Sequence, residues 1–221
     1  MTPPRPARGD ARFLVVLDAD STLIEDEVIE LLADAAGSRA VVTEITERAM
    51  RGELDFEESL LARVGTLAGL PQSVFAEVGA LIRPTPGVHE LIATVHGAGG
   101  AIGVVSGGFH ELLDPLSDSL DLDHWRANRL GLADGRLTGH LVGPVIDADA
   151  KAATLREWAQ LERVPLVRTI AVGDGANDLR MMAVAGLSVA FNAKPRVRAE
   201  ADVSIDVCDL SQVLPLLGLR G

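Results

Sequence analysis

At 221 residues, 48% of them hydrophobic, the chain is long enough for one domain of ordinary size, or a core with a smaller insertion, and can bury a substantial interior. Aromatics make up only 3%, tyrosine is absent and the net charge is −12, so base-stacking platforms are scarce and the overall field repels polyanions: neither nucleic acid nor an anionic membrane surface is an expected partner. Cys208 is the only cysteine, which excludes an intrachain disulfide and a cysteine-rich metal site and suits a reducing cytosol; with no apolar run near the ~20 residues of a membrane-spanning helix and no secretory block, a cytoplasmic protein is expected.

Residues 1–12, with three prolines and three arginines, read as a flexible tail. Five apolar residues, Phe13 to Leu17, then run straight into Asp18-Ala19-Asp20, as a strand buried on both faces does when it delivers acids to the carboxyl end of a sheet. If the chain stays extended, alternation points Asp18 and Asp20 the same way, and two such charges call for a cation; Mg²⁺, hard and oxygen-seeking, is the natural candidate. A turn and a helix cap are the plain alternative. Periodic apolar residues predict helices from Glu27 to Ala35, over 41–50, over 54–63 and over 70–81, with no strand between Leu23 and Arg83. Residues 23–83 thus read as a helical insertion after the first strand, and Pro84-Thr85-Pro86-Gly87 as the return to the core.

From there strand and helix alternate. A helix over 88–96 precedes a short buried strand, Ala101 to Val105, that closes on Ser106-Gly107-Gly108; a helix follows over 109–116, and turn pairs at Asp134-Gly135 and Gly143-Pro144 predict a hairpin within 128–144. Helix 151–161, strand 169–172, the loop Gly173-Asp174-Gly175-Ala176-Asn177-Asp178, helix 179–185, strands 187–191 and 203–205 and a closing helix over 210–217 complete the reading. The alternation calls for an α/β fold with a doubly wound parallel sheet.

Four positions fall where such a sheet collects ligands: Asp18/Asp20, Ser106, Lys151 and Asp174/Asn177/Asp178. Singly each has a dull explanation, an N-cap, a solvated lysine or a tight turn. Jointly they fit phosphoryl transfer. Asp18 would attack phosphorus and, with Asp174, hold Mg²⁺; Ser106 would offer a hydroxyl, Gly107 and Gly108 backbone amides at a helix N-terminus, and Lys151 a positive charge. Asp20 would move the proton. Other motifs fail on their own terms: a calcium loop opening at Asp18 meets Leu23 where glycine is needed, Val104 replaces the first glycine of Gly-x-Ser-x-Gly, and His89-Glu90 ends in Ala93 instead of a second histidine.

These strings resemble, in order and spacing, the four motifs of the haloacid dehalogenase superfamily of aspartyl-phosphate enzymes, over roughly residues 13–215. Within the insertion, Glu27, Met50, Phe56 and Arg63 stand where the phosphoserine phosphatases of that superfamily hold their substrate, and Ala127-Asn128-Arg129-Leu130 and Ala193-Lys194-Pro195 are also similar to that family. The resemblance implies a Rossmann-like core of 13–22 and 84–221 with a helical cap at 23–83, and Mg²⁺-dependent hydrolysis of O-phospho-L-serine through an aspartyl-phosphate. It implies metal ligands at Asp18, Asp20 and Asp174, phosphate contacts from Ser106, Gly107, Lys151 and Asn177, and Asp178 behind them. A related phosphatase or phosphotransferase on another small phosphomonoester is the alternative, and a monomer or homodimer the expected state. Ala19 departs from the bulky residue common at that position, and no regulatory domain is expected ahead of Phe13.

Overall fold

The computed structural model describes residues 11–219, apart from the side chain of Met50. Most of the tail expected at 1–12 therefore lies outside the described residues; Arg12, at its end, already donates its backbone N–H to Gly99 O at 2.9 Å. Leu14–Leu17 (β1) is buried at every position. Alternation sends Val15 and Leu17 into the apolar cluster on one face and Leu14 and Val16 into the cluster on the other, so the strand is the shared wall of two cores.

The insertion carries Val28–Ala35 (α1), Arg39–Met50 (α2), Phe56–Gly65 (α3) and Val74–Gly79 (α4). Its two legs are pinned together by an isolated antiparallel bridge between Ile24 and Pro84, with Glu25 N donating to Arg83 O and Thr85 N to Leu23 O, both at 3.0 Å. Val88–Gly97 (α5), Ala101–Phe109 (β2), His110–Leu120 (α6) and His124–Asn128 (β3) follow, then the hairpin Leu130–Ala133 (β4) and Arg136–Leu141 (β5). Ala148–Leu161 (α7), Thr169–Gly173 (β6), Leu179–Met182 (α8), Leu187–Phe191 (β7), Pro195–Glu200 (α9) and Val203–Ile205 (β8) lead into a closing 3-10 stretch, Leu210–Leu217.

The six parallel strands run in the order β3-β2-β1-β6-β7-β8. The chain winds one way from β1 to β3 and the other way from β6 to β8, so the switch point lies between β1 and β6, the crevice where open α/β sheets bind ligands. The doubly wound parallel sheet expected from the sequence is present.

Several elements differ from expectation. β2 runs four residues further than predicted, through Ser106-Gly107-Gly108 to Phe109, so those residues lie in a strand and α6 begins only at His110. The helix predicted from Leu70 is confined to 74–79, because 69–72 pairs instead with the hairpin: Gly69 N donates to Leu137 O and Leu137 N to Leu70 O, each at 2.8 Å, and Gln72 N to Gly135 O at 2.9 Å. The hairpin thus packs on the insertion, apart from the six-stranded sheet. Among the described residues no helix is long and apolar enough to cross a membrane.

Candidate active site

Asp18 ends β1 at the switch point, where its backbone N–H still continues the ladder to Val172 O at 2.9 Å. The chain then leaves the strand in a wide turn, Ala19–Leu23, with Ser21 at φ +57°. The carboxylates whose oxygens lie within 4.8 Å of one another are Asp18, Asp174 and Asp178. Of the metal ligands that the resemblance implies, Asp18 and Asp174 stand in this group, and Asp178 joins them. Asp20 lines the same cavity and lies against Gly108, where an added Cβ would sit 3.3 Å from Asp20 Oδ2, 3.0 Å from Ser106 Oγ and 2.9 Å from Val28 Cγ2. Only glycine fits there.

Lys151 is fully buried on α7, its Nζ 2.6 Å from Asp18 Oδ1 and 2.7 Å from Asp178 Oδ1. Asp147 caps that helix by accepting from Ala150 N at 2.8 Å, and the lysine follows one turn later. Burial disfavours a lone ammonium, but the two carboxylates outweigh it and hold the Lys151 pKa above its usual value. Asp178, also fully buried, accepts from Gly175 N at 3.1 Å through its other oxygen, and so shapes the loop that presents Asp174. Lys194 Nζ stands 3.9 Å from Asp174 Oδ2.

The buried Lys151 and the exposed Lys194 do not balance these acids. Burial, reinforced by Asp178, raises the pKa of Asp174 to about 6 and drives that of Asp18 up as well. For Asp20 burial comes first, then the charges of Glu27 and Asp18, and its pKa rises well above the carboxylate range. Asp20 Oδ1 is buried without a hydrogen-bond partner. A donor set made only of oxygens, crowded and short of positive charge, fits a hard divalent cation, which would return the acids to their ionised form.

Above the acids opens a cavity of about 730 Å³. Asp18, Asp20, Asp174, Asn177 and Gly107 form its floor, while Glu27, Phe56 and Arg63 come from the insertion. The wall built by α3 follows from its sequence: Asp55 and Glu58 make a capping box, with bonds of 2.8 and 3.0 Å, that starts the helix at Phe56. Phe56, Ser59, Leu60 and Arg63 then share the cavity face at helical spacing. Arg63 is half-buried, donates Nε to Ser59 O at 3.2 Å and has no carboxylate within ion-pair distance among the described residues. Burial lowers its pKa against the pull of Glu27, Asp20 and Glu30. Glu27, at the N-cap of α1, accepts from Ser21 Oγ at 2.7 Å.

Ser106, Lys151 and Asp178 are buried beneath the cavity, and Ser106 Oγ accepts from Gly108 N at 2.8 Å. Of the expected site residues only Met50 goes unplaced, its side chain lying outside those described. The expectation of amides at a helix N-terminus is corrected: Gly107 and Gly108 belong to β2, ahead of α6. Sequence reading gave no role to Asp147 or Asn128. Asp147, four residues before Lys151, was legible as an N-cap; Asn128, buried beside Gly107, carried no signal beyond its family-like string.

The sequence profile of haloacid dehalogenase-like hydrolases matches residues 15–183, and the chain belongs to that family. Within it, the phosphoserine phosphatase of Streptomyces coelicolor is 54% identical over 209 residues, covering 95% of this chain and 51% of that protein. The phosphoserine phosphatase of Streptococcus thermophilus is 48% identical over 209 residues, covering 95% and 97%. This chain therefore spans about half the length of the first relative and nearly all of the second. A solved structure described as a phospho-aspartyl intermediate analogue of phosphoserine phosphatase superposes with a TM-score of 0.88 at 40% identity, covering 95% of this chain and 100% of that one.

Proposed function

We propose that the chain is a phosphoserine phosphatase, hydrolysing O-phospho-L-serine to L-serine and phosphate with Mg²⁺ held at the cavity floor by Asp18, Asp20 and Asp174, and Asp178 behind them. Residues 23–83, with the docked hairpin, serve as the cap over a core of 13–22 and 84–221. The observation that carries this reading is a cavity whose floor offers Asp18, Asp20 and Asp174, with Lys151 buried beneath them, and whose roof offers Arg63 and Glu27, charges suited to the carboxylate and ammonium of an amino acid.

Asp18 Oδ1 is committed to Lys151 at 2.6 Å and to Ala19 N at 2.7 Å, which leaves Oδ2 to attack phosphorus. The P–O bond to serine breaks as the Oδ2–P bond forms. Asp20, which burial and the charges of Glu27 and Asp18 push toward its protonated form, gives its proton to the departing serine oxygen; the carboxylate so formed then takes a proton from the water that cleaves the aspartyl-phosphate. Lys151, Asn177 and the amides near Gly107 face the phosphoryl oxygens. A bound Mg²⁺ supplies charge neutralisation between the anionic nucleophile and the anionic ester. Arg63 grips the carboxylate in bidentate fashion and Glu27 the ammonium, so the cap end of the cavity selects the amino acid.

Steady-state kinetics on L-phosphoserine, phosphothreonine, phosphoethanolamine and phosphoglycerate, with Mg²⁺ and with EDTA, test this. Phosphoserine should give the highest kcat/KM and EDTA should abolish turnover. A preference for another phosphomonoester would overturn the substrate, and full activity in EDTA the metal.

A further inference from the structure

We infer that Asn128 is a positioning residue that fixes the phosphoryl-binding turn, an inference that rests on the phosphatase reading above. The pairing of β2 with β3 proceeds evenly from Gly103↔His124 to Val105↔Arg126 and then resumes at Phe109↔Asn128. Over that gap β2 advances four residues and β3 two, so Ser106, Gly107 and Gly108 bulge out of the ladder. A bulge re-aims backbone groups. It also takes them away from their ordinary strand partners, and a buried carbonyl left so exposed to nothing is costly.

Asn128 answers that need. It is 2% exposed, and its Nδ2 donates to Gly107 O at 2.8 Å in place of a ladder amide. Its Oδ1 accepts from Ile146 N, also at 2.8 Å. The two partners fix which way the amide faces, since a carbonyl can take only the NH₂ and a backbone N–H only the oxygen. Ile146 immediately precedes Asp147, the N-cap of the helix that carries Lys151. One buried side chain therefore ties together the two walls between which a phosphoryl group would lie: the glycine bulge and the entry to α7. Phe56 stands over the bulge from the cap side, 3.3 Å from where a Cβ on Gly107 would be, and leaves it little room to shift outward.

The decisive variant is Asn128→Asp. It keeps shape and the acceptor for Ile146 N–H, but sets a carboxylate oxygen against Gly107 O. Calorimetric titration with inorganic phosphate in Mg²⁺ should show binding at least ten-fold weaker than in the parent, in a protein whose circular dichroism is unchanged. The value of kcat/KM for phosphoserine and for phosphoethanolamine should fall by one common factor, because the turn addresses only the phosphoryl end. If Asn128→Asp does not fold, Asn128→Ala carries the same measurements. Phosphate binding within two-fold of the parent, or a loss confined to phosphoserine, overturns the inference. A parent that binds phosphate but hydrolyses none of the substrates overturns the phosphatase reading, while the phosphate titration still judges Asn128; a parent that binds no phosphate overturns the inference about Asn128, and the substrate kinetics alone judge the phosphatase reading.

Discussion

At the scale of single residues, the two aspartates of the first motif share a strand end but not an environment. Asp18 Oδ1 meets Lys151 and the Ala19 amide, whereas Asp20 Oδ1 is buried without a hydrogen-bond partner in a carboxyl group that burial and the charges of Glu27 and Asp18 push toward the neutral form. A proton on Asp20 matters only when the leaving group needs it. Asp20→Asn should accordingly lose far more activity on phosphoserine than on p-nitrophenyl phosphate, whose phenolate departs unprotonated. Equal losses on both would assign Asp20 to folding or to the metal. Arg63 offers the complementary test at the other end of the cavity. Arg63→Ala should cost about 2–4 kcal/mol in kcat/KM for phosphoserine and leave phosphoethanolamine, which lacks a carboxylate, nearly untouched. A uniform loss across substrates would mean that Arg63 merely supports α3.

At the scale of elements, the hairpin backs the insertion that roofs the cavity, packing against its segment 65–72. Arg136 Nη1 reaches Gly69 O at 2.7 Å, and at Gly139, φ +78°, an added Cβ would come within 2.9 Å of Ala68 Cβ and 3.2 Å of Gly65 O. A β-branched residue there combines a left-handed backbone, about 1–2 kcal/mol, with overpacking of about 1–3 kcal/mol. Gly139→Val should lower the melting temperature, by roughly 2–4 °C for each kcal/mol, and raise KM for phosphoserine through its effect on α3, while turnover of p-nitrophenyl phosphate at saturation holds. An unchanged KM would separate the hairpin from recognition. This docking was not legible from the sequence. The turn pairs located the hairpin, but its partner lies some seventy residues earlier in a stretch, 69–72, whose prolyl start reads equally well as a helix entry. β3 was missed because His124-Trp125-Arg126 alternates too weakly to mark a strand, and α9 because Pro195–Glu200 buries only Val197. By contrast β7 and β8, short and apolar between turn signals, were readable to the residue. The site residues were legible because strand ends punctuate the sequence where chemistry happens; the turn at Ala19 was not, because nothing in Asp-Ala-Asp-Ser-Thr marks Ser21 for the left-handed region that it occupies.

For the whole molecule, the buried acids make stability depend on what neutralises them. A cation bound only by the folded state stabilises it by about 2.7 kcal/mol at a hundred times its dissociation constant. At roughly 2–4 °C per kcal/mol for a chain of this size, Mg²⁺ should raise the melting temperature by about 5–10 °C over EDTA. Monitoring unfolding by circular dichroism across a Mg²⁺ series checks this, and a melting temperature indifferent to Mg²⁺ would remove the acids as its site.

The chain crosses four times between the core and the layer above it, made of the insertion and the hairpin, and the crossings run side by side in two pairs. Ile24 is bridged to Pro84 at one place, and Arg129 O accepts from Val142 N at 2.8 Å at the other. A door hung on two hinges swings about one line and does not twist. Were the roof to lift, Arg63 and Phe56 would travel together on α3 with their bearings to one another preserved, while Glu27, bonded to Ser21 of the core, would stay with the floor, so an incoming molecule would meet the same guanidinium and ring at every angle of opening. Selectivity would then begin at the threshold, before the phosphoryl group reaches the acids below.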